Sequence, residues 1–214
     1  MGKITALEVQ KRNKERVNVY LDGEFVFALS LIEAARLHNG QVLTEAEITL
    51  LRDEDTIVQA VDRAVHFISY RPRSTQEVRR NLAEKDIPKP VIDAALDRLS
   101  RMGYVDDVSF ARYWIENRET FKPLSPAALR QELQQKGVAR DIIEEVLSDL
   151  DADDAAYRAA LTQIRRIRTQ DQREFKRKLG AFLQRRGFSF AAVRIVTSRI
   201  IEELEAQTPG YFTA

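Results

Sequence analysis

The residues best suited to metal chemistry are the adjacent carboxylates Asp106 and Asp107, which stand directly before a helical apolar pattern that begins at Val108. Such a pair can hold a cation, or it can cap the helix by accepting its free N–H groups. We interpret the pair as helix caps because of this position before the Val108 helix. The chain has no cysteine, and its two histidines, His38 and His66, lie far apart, so no zinc-ligand spacing is present. The sequence therefore predicts no metal site and no disulfide.

The patterns of common catalytic and nucleotide-binding sites are also missing from the sequence. It contains no G-x-G-x-x-G or G-x-x-x-x-G-K-[ST] phosphate loop, no Gly-x-Ser-x-Gly turn and no cysteine nucleophile. We expect no catalytic residues, no cofactor and no enzymatic activity. No apolar run approaches the length of a membrane span, and the N-terminus has no apolar signal region, so we expect a cytoplasmic protein.

Charge is distributed unevenly along the chain, although the net charge is only +1. Residues 108–154 carry six basic and ten acidic side chains, a net charge of −4, whereas residues 155–214 carry twelve and five, a net charge of +7. Such segregation says more about partners than about fold. It predicts a polyanion or an acidic protein surface as the partner of the C-terminal segment.

The cations of the C-terminal segment cluster around two predicted helices. They are Arg165, Arg166 and Arg168 at the end of one helix, and Arg173, Lys176, Arg177, Lys178, Arg185 and Arg186 along the next. The helix dipole favours cations at a C-terminus but gains nothing from cations in a first turn. We predict that this basic face meets DNA phosphates or an acidic protein surface, and a merely solvated face is the alternative.

Other candidate binding residues lie earlier in the chain. They are Arg71, Arg73, Arg79 and Arg80 around a Pro-containing loop, and Arg130 and Lys136 on a later helix. For the loop arginines a solvated turn and a binding edge are equally good interpretations. Trp114 is able to stack on a base, but its apolar neighbours favour packing in the core.

The elements that must position these residues begin with β structure. Apolar alternation at Val17, Val19 and Leu21, followed by Asp22-Gly23 and a second apolar run, predicts a hairpin or a meander of two or three strands. Capping-box patterns at Ser30 and Thr44 then predict one or two short helices, the first ending near Gly40. Residues 1–56 form this N-terminal segment.

The remainder of the chain repeats with a period near 50 residues. Ser74 to Leu82 matches Ser125 to Leu133 at an offset of 51, and Lys136-Gly137-Val138 matches Arg186-Gly187-Phe188 at an offset of 50. This pattern predicts three tandem three-helix repeats in a mainly α, elongated array. We place them at residues 57–107, 108–153 and 154–206, with a tail at 207–214, and we predict that Asp106-Asp107 and Asp153-Asp154 cap helices at the junctions.

Three stretches of this sequence resemble the RecX regulatory family. They are Arg71-Pro72-Arg73-Ser74-x-x-Glu77-Val78, Gly103-Tyr104-Val105-Asp106-Asp107-x-x-Phe110-Ala111-x-x-Trp114, and Leu129-Arg130-x-Glu132-Leu133-x-x-Lys136-Gly137-Val138. The resemblance extends from about residue 57 to 200. Lys122-Pro123-Leu124 departs from it, because a Gly-Pro often stands there in the family.

The resemblance implies a regulator that binds RecA and lies in the groove of the RecA nucleoprotein filament, and we expect it to be a monomer. It further implies that the protein restrains ATP hydrolysis, coprotease activity and strand exchange, with roles in DNA repair, homologous recombination and the SOS response. RecA and single- or double-stranded DNA are then the expected partners. From the repeats and the charges we further predict a curved array that matches the filament, with the basic residues named above as contacts. The alternatives are a DNA-binding helical module and a protein–protein scaffold without a RecA role.

Overall fold

The alternating apolar residues at the N-terminus form an antiparallel sheet in the computed structural model, which describes residues 1–212. The strands are β1 (Gly2–Val9), β2 (Arg16–Leu21), β3 (Glu24–Ser30) and β4 (Val42–Leu43), in the order β3-β2-β1-β4. Asp22 and Gly23 take positive φ angles of 50° and 92° in the predicted hairpin turn. The meander is confirmed, and β4 is an additional strand too short to produce an alternating pattern.

The helical signals after the sheet produce one short helix and one long one. Helix α1 (Leu31–Ala34) ends well before Gly40, which lies in the turn leading to β4. Helix α2 (Glu45–Ser69) begins at the predicted Thr44 capping box and continues without a break, so the boundary drawn at residue 57 falls inside it. No glycine or proline interrupts α2, which explains its continuity.

The chain divides into two compact units, one of which comprises Met1–Arg73 and Val78–Val105. It contains the sheet, α1, α2, most of α3 (Thr75–Ala83), and α4 (Lys89–Arg101). One apolar core lies within the sheet region, around Val19 and Leu29. A second core lies between α2, α3 and α4, where Ala64, Leu82 and Leu99 are fully buried.

The other unit comprises Ser74–Glu77 and the described residues from Asp106 onward. Its helices are α5 (Asp107–Phe121), α6 (Pro126–Gln135), α7 (Arg140–Leu147), α8 (Ala152–Ile164), α9 (Gln172–Arg185) and α10 (Phe190–Gln207). Helices α5–α7 enclose one core and α8–α10 another. The predicted mainly helical chain with three-helix repeats and an N-terminal β region is confirmed.

The cap of α8 differs from the prediction. Asp151, rather than Asp153 or Asp154, is the N-cap, and its carboxylate accepts the backbone N–H groups of both following aspartates. The helix therefore begins before the boundary drawn at residue 154. When several aspartates lie close together, the sequence pattern alone does not identify which of them is the N-cap.

Two glycine turns in the second unit lie very close to the beginning of another helix. A Cβ on Gly137 would overlap the Cβ of Gln76, and one on Gly187 would lie 2.7 Å from Ser125 Oγ. The backbone carbonyl of the residue before each glycine accepts a hydrogen bond from the start of the neighbouring helix. Ser74 Oγ donates to Lys136 O at 2.6 Å, and the Ser125 N–H donates to Arg186 O at 3.0 Å. We call these two contacts the glycine joints.

The position corresponding to these glycines in the first repeat is Asp86. It has the same left-handed backbone, with φ of 57°, although this conformation is sterically unfavourable for a residue with a Cβ. Its side chain is exposed to solvent. A side chain is therefore tolerated at Asp86, whereas the two glycine joints leave no room for one.

The segment after α10 folds back on the third repeat. The Phe212 ring lies 5.2 Å from that of Phe175, and Glu205 accepts the backbone N–H groups of Gly210 and Phe212. Of the predicted tail at 207–214, residues 213 and 214 lie outside the described residues. Between residues 1 and 212 no helix has the length and apolarity to cross a membrane.

Replacement of Gly137 by alanine should be strongly destabilising. The new Cβ would lie 2.5 Å from Gln76 Cγ on a backbone with φ of 79°, so steric overlap adds to conformational strain. We expect a loss of about 2–4 kcal/mol in the free energy of unfolding, measured by urea denaturation with far-UV circular dichroism.

Gly103→Ala is the matched control for this measurement. Gly103 has a similar φ of 75°, but among residues 1–212, apart from Gly103 and its two chain neighbours, no atom lies within 4 Å of the position that a Cβ would take there. Strain alone should then cost about 1–2 kcal/mol. Equal losses for the two variants would contradict the account of the glycine joints.

Candidate functional site

The paired carboxylates Asp106 and Asp107 serve as hydrogen-bond acceptors at helix starts. Asp106 accepts the Val108 N–H at 3.0 Å and the Ser109 hydroxyl at 2.7 Å, and these hydrogen bonds lower the pKa of its carboxyl group. Asp107 Oδ1 accepts the backbone N–H of Thr75, the first residue of α3, at 2.8 Å. The capping interpretation is thus confirmed for Asp106, and Asp107 supports a different helix from the one predicted.

Trp114 is packed within the second repeat. Its ring lies 5.9 Å from that of Phe110, and its indole N–H donates to Glu132 Oε2 at 2.8 Å. The Arg118 guanidinium and the Lys136 ammonium lie 4.4 and 4.8 Å from the ring centroid. Cations that cover the ring in this way stabilise it by cation–π attraction. Core packing, rather than base stacking, is therefore the role that these contacts support.

The candidate cations of the second repeat have carboxylate partners. Lys136 Nζ lies 2.8 Å from Glu77 Oε1, and the carboxylate side chain of Glu77 is largely buried. Arg130 forms a two-pronged pair with Glu144, with both N–O distances at 2.9 Å, and this pairing lowers the pKa of the Glu144 carboxyl group. Both side chains therefore have contacts within the chain that account for their positions.

Candidate cations of the first unit are similarly engaged. Arg79 forms an ion pair with Asp93. The Arg73 guanidinium stacks 4.0 Å above the Phe67 ring, and Arg71 donates to the carbonyl of Pro72 at 2.8 Å. Arg80 is exposed on α3. Arg71 and Arg73 thus have contacts at the turn between α2 and α3.

The third repeat presents its cations differently. Several exposed cations have no ion pair or hydrogen bond from their side chains to any residue between 1 and 212; from the candidate set these are Arg165, Arg166, Arg168, Lys176 and Arg185. Arg177 and Lys178 share the single carboxylate of Glu174, at 3.7 and 3.1 Å. Hydrogen bonds from Thr169 and Lys178 lower the pKa of Glu174, which keeps that carboxylate ionised.

Arg186 is separated from this group. Its guanidinium lies 4.9 Å from the Phe182 ring, and partial burial together with the neighbouring charge of Arg185 lowers its pKa. Its backbone carbonyl belongs to the second glycine joint. These contacts favour a structural role for Arg186.

Four cations of the third repeat line one groove, which we call the basic groove: Arg166, Arg177, Lys178 and Arg185. The groove has a volume of about 310 Å³, and Gln163, Ile167 and Ala181 complete its lining. Arg165 and Arg168 line a separate depression beside Tyr211. The sequence-based prediction therefore brings Arg166, Arg177 and Arg185 together, but not the whole set.

Lys178 was part of the predicted basic face but was not singled out as a contact. Its spacing could have identified it, because residues 178, 181 and 185 follow the i, i+3, i+7 pattern of one helix face. Lys176 falls outside that pattern and does not line the groove. Helical spacing within α9 therefore separates the groove cations from the others better than sequence proximity does.

The chain matches family models along most of its length. They describe the "Regulatory protein RecX N-terminal domain" at residues 2–44 and the first, second and third three-helix domains of RecX at residues 53–99, 106–147 and 151–197. "Regulatory protein RecX" of Bacillus pumilus is 33% identical over 199 residues, covering 90% of this chain and 75% of that protein. The chain belongs to the RecX family.

Further RecX proteins support the assignment. "Regulatory protein RecX" of Bacillus subtilis is 31% identical over 211 residues, covering 96% of this chain and 80% of the relative. A solved "Crystal structure of regulatory protein RecX" matches with a TM-score of 0.74 and 28% identity, covering 92% of this chain and all of that one. A second RecX structure, from Lactobacillus salivarius, has a TM-score of 0.58, 22% identity and coverage of 72% and 99%, and supports the fold.

The pair between Lys136 and Glu77 offers a test of the structural role assigned to Lys136. A double-mutant cycle with Lys136→Met and Glu77→Gln should give a coupling energy of about 1–2 kcal/mol, because both side chains are sheltered from water. Urea denaturation measures it, and emission from Trp114 should shift in Lys136→Met because the ammonium lies over the ring.

Asp97 and Arg101 provide the control pair, at 2.7 Å but with both side chains mostly exposed. Their coupling should be about 0.3–0.5 kcal/mol, as for other surface pairs on one helix. Couplings of equal size would mean that the Lys136–Glu77 contact is no more than a solvated surface pair.

Proposed function

We propose that this RecX-family chain binds the RecA filament on DNA and modulates it without a catalytic step of its own. The expected direction is inhibition of RecA ATP hydrolysis, coprotease activity and strand exchange. The relatives are named regulatory proteins, and the family resemblance supplies RecA as the partner. In this proposal the protein acts by occupying the filament, so binding alone must account for its effect.

The observation that carries the proposal is a difference in ion pairing: candidate cations of the second repeat have carboxylate partners, whereas several of the third repeat do not. Arg130 and Lys136 have carboxylate partners, whereas Arg166 and Arg185 face the basic groove without one in the part of the chain that the structure describes. Clustered like charges repel one another and reduce stability unless an anion approaches. This arrangement supports a polyanion as the partner of the third repeat.

The DNA backbone is the polyanion that fits this role. A helix face with cations at two or more turns can follow successive phosphates, and each phosphate contact releases a condensed counterion. The second repeat, with a net charge of −4 over residues 108–154, is poorly suited to DNA. We therefore assign DNA contact to the third repeat and protein contact to the rest of the chain.

Charge reversal in and beside the basic groove tests this assignment. We expect the variant with Arg165→Glu, Arg166→Glu, Arg177→Glu and Arg185→Glu to bind RecA–DNA filaments more weakly. If all four cations contact phosphates, the slope of log affinity against log salt concentration should decrease by about 3, since each contact contributes roughly 0.7–0.9. Fluorescence anisotropy with labelled DNA at a series of salt concentrations measures the slope.

A matched variant reverses four exposed cations of the first unit, Arg12, Arg63, Lys85 and Lys89. It changes the net charge by the same amount, so it controls for long-range electrostatic steering. Its slope should stay near that of the unmodified protein. An unchanged affinity and slope in the groove variant would contradict DNA contact through the third repeat.

The same measurements separate the two alternatives. A DNA-binding module without a RecA role would bind bare DNA with a steep salt slope and leave RecA activity unchanged. A protein–protein scaffold would show a salt slope near zero on DNA. The cations of the basic groove favour the first of these alternatives over the second.

A further inference from the structure

An apolar groove lies within the first unit, apart from the basic groove. It has a volume of about 520 Å³ and is bounded by the loop before β2, by α1, and by one face of α2 and the end of α4. Val58 and Val61 of α2 form part of its apolar lining. Nothing in the proposed DNA contact uses this region.

Three large apolar side chains line the groove while remaining open to solvent. Leu31, Ile32 and Met102 are 47%, 74% and 55% exposed, respectively. Single exposed apolar residues are common, but a contiguous group with a polar rim is typical of protein-binding surfaces. Methionine is also well suited to such surfaces because its flexible side chain adapts to different partners.

The two arginines of the groove are already neutralised. Arg16 forms a two-pronged pair with the buried carboxylate of Asp55, at 2.5 and 2.8 Å, and also donates to the carbonyl of Ala28. Arg98 pairs with Glu54 at 2.6 Å. Both arginines of the groove therefore form ion pairs with carboxylates of α2.

Two carboxylates at the rim lack such partners. Glu15 and Asp62 are exposed, and neither side chain has an ion pair or hydrogen bond to any described residue. Partial burial and repulsion from Glu15 raise the pKa of Asp62. The groove thus combines an apolar surface with two carboxylates that have no ion-pair or hydrogen-bond partner among residues 1–212.

We propose that this groove docks a segment of the protein partner in which an aliphatic side chain lies beside a lysine or arginine. The aliphatic group would cover Leu31, Ile32 and Met102, while the cation would pair with Glu15 and Asp62. The proposal rests on the proposed function, in that RecA supplies the segment. It adds a second contact surface, of opposite charge to the basic groove.

The test compares two double variants for binding to RecA assembled on single-stranded DNA with a slowly hydrolysed ATP analogue. Ile32→Ser with Asp62→Lys removes an apolar contact and reverses a rim charge. Leu50→Ser with Asp53→Lys is the control, because both residues are exposed on α2 and do not line the groove. Asp53 and Asp62 are nine residues apart, which places them on opposite faces of the helix.

We expect at least a tenfold loss of affinity for the groove variant and a change below twofold for the control. Equal affinities for the two variants, with normal binding by the unmodified protein, would overturn the groove as a docking site and leave the proposed function intact. Failure of the unmodified protein to bind RecA would overturn the proposed function and RecA as the occupant together. Circular dichroism of both variants checks that the fold is retained.

Photo-crosslinking identifies the occupant directly. Benzoylphenylalanine replaces Met102 in the groove or, as the control, Leu50, and crosslinked peptides are sequenced by mass spectrometry. A RecA peptide with an aliphatic residue beside lysine or arginine, captured from Met102 and not from Leu50, is the expected result. Capture of DNA, of a second copy of this chain, or of an acidic RecA segment would overturn the proposal.

Discussion

At two places in the second unit a glycine lies so close to the start of another helix that no side chain fits between them. Gly137 faces Gln76, and Gly187 faces Ser125 and Ala128. Each glycine ends its helix in a turn with a positive φ, and the preceding carbonyl accepts a hydrogen bond from the neighbouring helix start. The same two residues therefore end one helix and hold it against the start of another. Both glycines fall at the same place in the repeat of about 50 residues, since Gly187 follows Gly137 at an offset of 50.

The cation that precedes the glycine has different contacts at the two joints. Lys136 precedes Gly137 and meets the carboxylate of Glu77, so its charge is used within the chain. At the next joint Ala128 occupies the position corresponding to Glu77 at the offset of 51, and Arg186 stacks on Phe182 instead. The cations without an ion pair between residues 1 and 212 include Arg166 and Arg185 of the basic groove, and neither takes part in a glycine joint.

Sequence reasoning predicted the elements better than the contacts. The hairpin at Asp22-Gly23 and the Thr44 capping box follow from local backbone preferences, which depend on neighbouring residues. The three helical repeats follow from the period near 50 residues. The pairing of Arg130 with Glu144 and the covering of Trp114 by Lys136 join residues that are distant in the sequence, so composition could not distinguish these cations from free ones. For the same reason the basic groove was predicted only in part, and the apolar groove was not predicted at all.

Regulation of RecA by occupation of its filament on DNA is tested most directly by the rate of ATP hydrolysis. That rate is measured for RecA on single-stranded DNA while this protein is titrated. We expect the rate to fall at well below one protein per RecA subunit, because a protein that contacts neighbouring subunits affects more of them than it binds. An unchanged rate, under conditions in which the protein still binds DNA, would contradict this regulatory role.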